Sequence, residues 1–181
     1  MKVLIVEDEI HAREALEYLI DWDAHGVSDL LFAEDGQKAL ELLEREQPAI
    51  MFCDMRMPKM DGVTLLNTVK EREYDIKIIV ISGHDDFRYT RAAIQAHGVD
   101  YILKPFKKHE VQQAFDKAVA LCRMDTSRRI AEEEQGVRIR EADRVLSEQK
   151  LYRWLSGQKA RTPDVLRTFE KLGISGDGVC V

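Results

Sequence analysis

Short, mostly apolar runs alternate along the chain with stretches in which apolar residues recur every three or four positions. The runs fall at residues 3–6, 30–33, 49–53, 76–81 and 99–103. Each is bounded by polar or turn-forming residues and is too short for an ordinary helix, so each reads as a buried strand. Between them, Ala12, Ala15, Leu16, Leu19 and Ile20 share one helical face. Ala39, Leu40 and Leu43 mark a second helix, and Val63, Leu66 and Val69 a third. Residues 87–96 form a fourth, and Val111, Phe115, Ala118 and Cys122 begin a fifth. Strands that are apolar throughout, rather than alternating, predict a parallel sheet covered by helices on both faces. The expected class is therefore α/β, doubly wound with right-handed crossovers, its functional crevice beyond the carboxyl ends of the strands.

The pattern changes after Cys122. From residue 125 to residue 150, 13 of 26 positions are charged, seven acidic and six basic. Arg128/Glu132, Arg129/Glu133, Glu134/Arg138 and Arg144/Glu148 sit four apart with opposite signs, which supports an exposed helix. No proline intervenes between Phe106 and Thr162, so the fifth helix is expected to run on. Ile130, Val137, Leu151 and Leu155 give a weak heptad broken by Arg144, which leaves a solvated connector and a dimer coiled coil both open. Gly136 marks a soft spot within it. Thr162-Pro163-Asp164 looks like a helix start and Gly173 like its close. The expected organisation is a domain over 1–122, a charged helical connector over 123–157, and the incomplete start of a second domain over 158–181.

The composition excludes several classes. Lys+Arg 27 against Asp+Glu 33 gives a formal net charge of −6, which argues against nucleic-acid coating by this chain. No apolar run approaches the ~20 residues of a membrane span, and the apolar start is too short for a secretory signal. Three scattered cysteines, Cys53, Cys122 and Cys180, with no C-x-x-C, fit a reduced cytoplasmic chain.

The chemistry gathers at the strand ends. The first strand ends on Glu7-Asp8, the third on Asp54, the fourth on Ser82-Gly83 and the fifth on Lys104-Pro105. Taken singly, each is ordinary: Asp8 would serve as a helix cap, Asp54 as a turn residue, Lys104-Pro105 as a strand exit. Together they would place three carboxylates, a hydroxyl and an ammonium at one rim. Two unit charges ~4 Å apart repel by about 4 kcal/mol at an effective dielectric of ~20, so the acids require a counter-charge. A hard cation with oxygen ligands, Mg²⁺ or Mn²⁺, supplies one, and Lys104 another. A carboxylate so held suits phosphoryl transfer, which mainly needs positioning and charge stabilisation.

This constellation resembles the receiver domain of bacterial two-component response regulators. The resemblance rests on Val3-Leu4-Ile5-Val6-Glu7-Asp8-Glu9, Asp54-Met55-Arg56-Met57-Pro58-Lys59-Met60-Asp61-Gly62, Ile81-Ser82-Gly83 and Tyr101-Ile102-Leu103-Lys104-Pro105-Phe106. It covers about 1–122 and implies a flavodoxin-like (βα)5 fold with strand order 2-1-3-4-5. It implies Asp54 as phospho-acceptor, with Glu7, Asp8, Asp54 and the backbone carbonyl of Arg56 holding Mg²⁺. Ser82 and Lys104 would bind phosphoryl oxygens, Gly83 would leave room for the group, and Tyr101 would be the aromatic switch that follows Ser82. A cis Lys104-Pro105 bond is common in the family. Arg56 and His84, two residues beyond Asp54 and Ser82, are candidates for setting the phosphate's lifetime. The stretches Asp54-Met55-Arg56-Met57-Pro58 and Ser82 to Tyr89, with the Leu-Tyr-Arg-Trp-Leu-Ser-Gly segment, resemble receivers with an AraC-type helix-turn-helix output.

The implied function is a switch rather than a turnover enzyme, taking its phosphoryl group from a histidine kinase. It would act as a homodimer and reach DNA only through an output domain beyond these residues. Two rivals differ in class. A haloacid-dehalogenase-like Mg²⁺ phosphatase needs a second Asp two residues after its nucleophile, where Arg56 stands here. A phosphorylation-independent receiver, acting as an interaction module, usually lacks part of the acid set. The remaining residues read as bland: His11, His25, His97 and His109 as surface or helix-end residues, Cys53 and Trp22 as packing, and Met51, Met55, Met57 and Met60 as filler around the site.

Overall fold

A computed structural model describes residues 1–83 and 86–155. The elements run β1 (Lys2–Val6), α1 (Ile10–Leu19), β2 (Asp29–Ala33), α2 (Gly36–Glu46), β3 (Ile50–Asp54) and α3 (Gly62–Glu71). They continue with β4 (Lys77–Ser82), α4 (Phe87–Gln95), β5 (Asp100–Leu103) and α5 (Lys108–Leu155). All five strands are parallel, in the order β2-β1-β3-β4-β5.

The period of two along each strand divides the apolar residues between two faces. Leu4, Val6, Met51, Cys53, Ile78 and Val80 point toward α2, α3 and α4, where they meet Ala39, Leu43, Leu65, Leu66, Val69 and Ala92. Val3, Ile5, Ile50, Phe52, Ile79 and Ile81 point the other way, onto Leu16 and Ile20 and onto Val111, Ala114, Phe115 and Ala118 of α5. Trp22 stands edge-on to Phe52 and Phe115, and its indole N–H donates to the Glu17 carbonyl at 2.8 Å. The methionines divide as well: Met51 and Met55 are fully buried, while Met57 and Met60 are partly buried against the same core.

Coverage on both faces holds for the three inner strands and not for the outer two. Phe32 on β2 is 37% exposed and Leu103 on β5 is 44% exposed. Their sequences are as apolar as those of the inner strands, but an edge position leaves one flank without a neighbour. His25 also departs from expectation. It is half-buried, its ring edge-on to Phe115 and its Nε2 3.5 Å from Asp116 Oδ1, so it joins the α1–β2 loop to α5.

Three helices start on aspartates whose carboxylates accept an orphan amide: Asp35 from Lys38 (2.9 Å), Asp61 from Thr64 (2.8 Å) and Asp86 from Arg88 (2.8 Å). Asp8 does not cap α1. Glu9 holds that position and makes no side-chain cap bond, which leaves the Asp8 carboxylate to the rim.

Residues Met1–Asp125 form one compact unit and Thr126–Val181 a second. Within the first unit α5 is amphipathic, and Lys77 at the start of β4 pairs with Asp125 at 2.5 Å. Within the second, α5 continues through Gly136 without a break to Leu155. Ile130, Val137, Ile139, Val145 and Leu146 there are exposed. Arg128–Glu132 (2.8 Å) and Arg144–Glu148 (3.1 Å) form ion pairs along it. The expectations for 158–181, the helix start at Thr162 and Cys180 lie outside the described residues, as do the side chains of Leu151, Trp154 and Leu155. No helix among the described residues is long and apolar enough to cross a membrane.

Candidate functional site

Parallel strands put all their carboxyl ends on one rim, and the sheet order decides which ends are neighbours. β1 and β3 are adjacent, so Glu7 and Asp8 come beside Asp54. One carboxylate oxygen from each of Glu7, Asp8 and Asp54 falls within a span of 4.8 Å. Glu7 is 1% exposed and Asp54 5%, whereas Asp8 is open to solvent. β4 follows β3, with Asp54 in register with Ile81, so Ser82 emerges one residue beyond the acceptor's level. β5 follows β4, and the Lys104 amide donates to the Ser82 carbonyl at 2.7 Å.

Lys104 crosses back over the rim. Its Nζ lies 2.8 Å from Asp54 Oδ2, 2.9 Å from Glu7 Oε1 and 2.8 Å from Glu7 Oε2. Burial pulls its ammonium toward the neutral form, but the two carboxylates outweigh that and hold its pKa above the ordinary lysine value. The Lys104-Pro105 bond that follows is cis.

Glu7 feels the opposite balance. Burial pushes its carboxyl up to about 7, aided by the Asp54 charge and resisted by Lys104 and by the Glu9 amide, which donates to Oε1 at 3.3 Å. Its Oε2, though close to Lys104, has no aligned donor, and it is the buried side-chain polar atom left without a hydrogen bond among the described residues. The Lys104 ammonium lies 2.8 Å from this oxygen, but it is shared with Asp54, so one positive charge faces three clustered carboxylates. That excess of negative charge and the all-oxygen donor set fit a hard divalent cation at Glu7, Asp8 and Asp54.

The other expected residues are placed as follows. The Arg56 amide donates to Asp54 Oδ1 at 3.2 Å, so the main chain of the β3–α3 loop lies against the acceptor. Ser82 is fully buried at the end of β4. A Cβ built on Gly83 would meet nothing within 4 Å, so open space adjoins it. Tyr101 is half-buried against the α2–α4 side of the core. His84 lies outside the described residues. Cys53, beside the acceptor, is fully buried, and burial with the Asp54 and Glu7 charges drives its thiol up, so it stays protonated.

One pair escaped the sequence reading. Asp35 is buried after β2, and Lys59 of the β3–α3 loop reaches its Oδ2 at 2.6 Å. The second strand ends on Glu34-Asp35, an acid pair like that of the first strand. The rule applied to the other strand ends would have flagged it; its partner, 24 residues on, follows from no spacing.

The profile of the response regulator receiver domain matches residues 3–116. Among curated proteins, the chain is 38% identical over 115 residues to an uncharacterised response regulatory protein of Staphylococcus epidermidis, a match covering 64% of this chain and 45% of that protein. It is 37% identical over 118 residues to the transcriptional regulatory protein HptR of Staphylococcus aureus, covering 65% and 46%. The matched region thus spans under half the length of these relatives. Among solved structures, the receiver domain of AraT, a response regulator from Geobacillus stearothermophilus, superposes with a TM-score of 0.64 at 36% identity, covering 69% of this chain and 97% of that one. A two-component transcriptional regulator AraC from Clostridium phytofermentans superposes with a TM-score of 0.62 at 27% identity, covering 71% and 98%.

Proposed function

The chain belongs to the response regulator receiver domain family, and from that premise we propose that it is a phosphorylation-driven switch that accepts a phosphoryl group on Asp54. The observation that carries this reading is the shared rim: three carboxylate oxygens within 4.8 Å, with one lysine ammonium bridging Glu7 and Asp54. A phosphatase of the dehalogenase type needs an acid where Arg56 stands, and a phosphorylation-independent module has no use for the complete acid set.

Glu7, Asp8, Asp54 and the Arg56 carbonyl would hold Mg²⁺, which when bound offsets the crowded negative charge and screens the incoming phosphoryl oxygens. In the transfer, a carboxylate oxygen of Asp54 forms a bond to phosphorus as the bond from phosphorus to the kinase histidine nitrogen breaks. Lys104 exchanges its contact with Asp54 Oδ2 for a phosphoryl oxygen, and the Ser82 hydroxyl donates to another. The space beside Gly83 receives the group. The movement of Ser82 toward the phosphate opens room into which Tyr101 turns, and the β4–β5 side of the molecule changes its surface. Arg56 and His84, which stand in sequence two residues beyond Asp54 and Ser82, would set how long the phosphate lasts.

The downstream consequence would be a change in self-association, read by an AraC-type DNA-binding region beyond these residues. The description of HptR as a transcriptional regulatory protein, and of the Clostridium phytofermentans structure as a transcriptional regulator AraC, supports that output.

Incubation with acetyl phosphate and Mg²⁺ tests the reading. One acid-labile, hydroxylamine-sensitive phosphoryl group per chain is expected by mass spectrometry, and none on Asp54→Ala. Phosphorylation that persists in Asp54→Ala, or that is unaffected by chelating Mg²⁺, overturns it.

A further inference from the structure

The β3–α3 loop, residues 55–61, carries the Arg56 main chain that touches Asp54. Its first residue is tied to the neighbouring strand β4, where the Met55 amide donates to the Ile81 carbonyl at 3.2 Å, and its last residue, Asp61, caps α3. The middle is held by a different part of the molecule, the start of α2. Lys59 Nζ lies 2.6 Å from Asp35 Oδ2, and the Gly36 amide donates to the Met60 carbonyl at 3.1 Å. Met60 also packs on Gly36 so closely that an added Cβ would fall 2.6 Å from its Cγ.

Asp35 is an unusual partner for a lysine that is itself half exposed. Its side chain is 0% exposed, and it is already engaged as the cap of α2. Lys59 also takes the left-handed backbone conformation (φ 61°), which a non-glycine residue adopts at a cost. A buried carboxylate and a strained backbone persist together where each is offset by the other's contact.

We infer that the Asp35–Lys59 pair, with the Gly36–Met60 backbone contact, is a clamp that positions the β3–α3 loop for cation binding at Asp54. Lys59 is thus a positioning residue that acts through the Arg56 main chain and does not touch the phosphoryl group. The inference rests on the proposed cation-binding reading of the rim. Outer contacts that orient a metal site typically alter its affinity 10–100-fold, and one loop contact among several belongs at about the lower end of that range.

The test is Mg²⁺ titration of the whole chain by calorimetry, with phosphorylation by acetyl phosphate as a second readout. Lys59→Met is expected to raise the Mg²⁺ dissociation constant about tenfold. It should slow phosphorylation at low Mg²⁺ and recover most of the rate at saturating Mg²⁺, and Lys59→Arg should restore both. Lys59→Gly relieves the backbone cost without restoring the charge, and it should stay weak. Should Lys59→Met fail to fold, Lys59→Gln replaces it in the same comparison.

The outcomes separate the two claims. A wild-type chain that binds no Mg²⁺ overturns the reading of the rim and the clamp with it. A wild-type chain that binds Mg²⁺ and is phosphorylated, beside a Lys59→Met variant of equal Mg²⁺ affinity, overturns the clamp alone. So does a Lys59→Gly variant that matches wild type, since backbone conformation would then be the whole effect.

Discussion

At the scale of single residues, the site is an unresolved charge balance. Glu7 is buried beside Asp54, and Lys104 answers both carboxylates while leaving Glu7 Oε2 without a hydrogen bond. Burial raises the Glu7 carboxyl to about 7 from 4.5. Between those values the folded chain binds more protons than the unfolded chain, so stability falls as pH rises through that window. Bound Mg²⁺ would relieve the charge that accumulates there. The rise in Tm produced by Mg²⁺ is therefore expected to be small near pH 5 and to grow toward about pH 8, and scanning calorimetry with and without the ion checks it. A gain independent of pH would remove Glu7 from the cation's shell. Gly83 yields a second expectation. Because a Cβ there meets nothing within 4 Å, Gly83→Ala should change stability by less than about 0.5 kcal/mol. It should still slow phosphorylation by acetyl phosphate, since the methyl would occupy space the phosphoryl group needs; an unchanged rate would show that the group lies elsewhere.

At the scale of elements, the rim depends on how helices seat against the sheet. A Cβ on Gly62 would collide with the Asp54 carbonyl and the Met55 Cα, so the first turn of α3 lies directly on the end of β3. Neither contact is a flexible side-chain tip. Gly62→Ala is therefore expected to cost about 1–3 kcal/mol in urea unfolding and to disturb Asp54 as well, so loss of Mg²⁺ binding should accompany the destabilisation. On the opposite face Phe115 of α5 is fully buried, stacked 6.0 Å from Phe52 and edge-on to Trp22 and His25. Phe115→Ala should cost about 3–5 kcal/mol. Since that cavity lies on the α1/α5 side, the surviving folded fraction should bind Mg²⁺ with unchanged affinity. The helix periods were legible because both faces of α5 differ so clearly up to Cys122. Lys59–Asp35 was not legible, because an ion pair across 24 residues leaves no periodic trace.

At the scale of the whole molecule, the first unit ends at Asp125, where Lys77 holds the last residue of α5 within it. A chain of residues 1–125 should therefore keep a cooperative thermal transition and the Mg²⁺ affinity of the longer chain, while losing helical circular-dichroism signal. A broad, non-cooperative melt would show that the following residues complete the core. The number of βα units, their order along the chain and the chemistry at the ends of the first, third, fourth and fifth strands were legible in the linear pattern, because local periodicity and turn chemistry are local physics. The three inner strands obeyed the expectation of burial on both faces, and β2 and β5, equally apolar, did not. Only the sheet order makes an edge, and that order is a global property of the chain. The same order made neighbours of Glu7 and Asp54 and sent Lys104 back between them. Distances across the rim are set by side chains from strands far apart in sequence, packed by two opposed layers of helices, and no spacing along the chain encodes them.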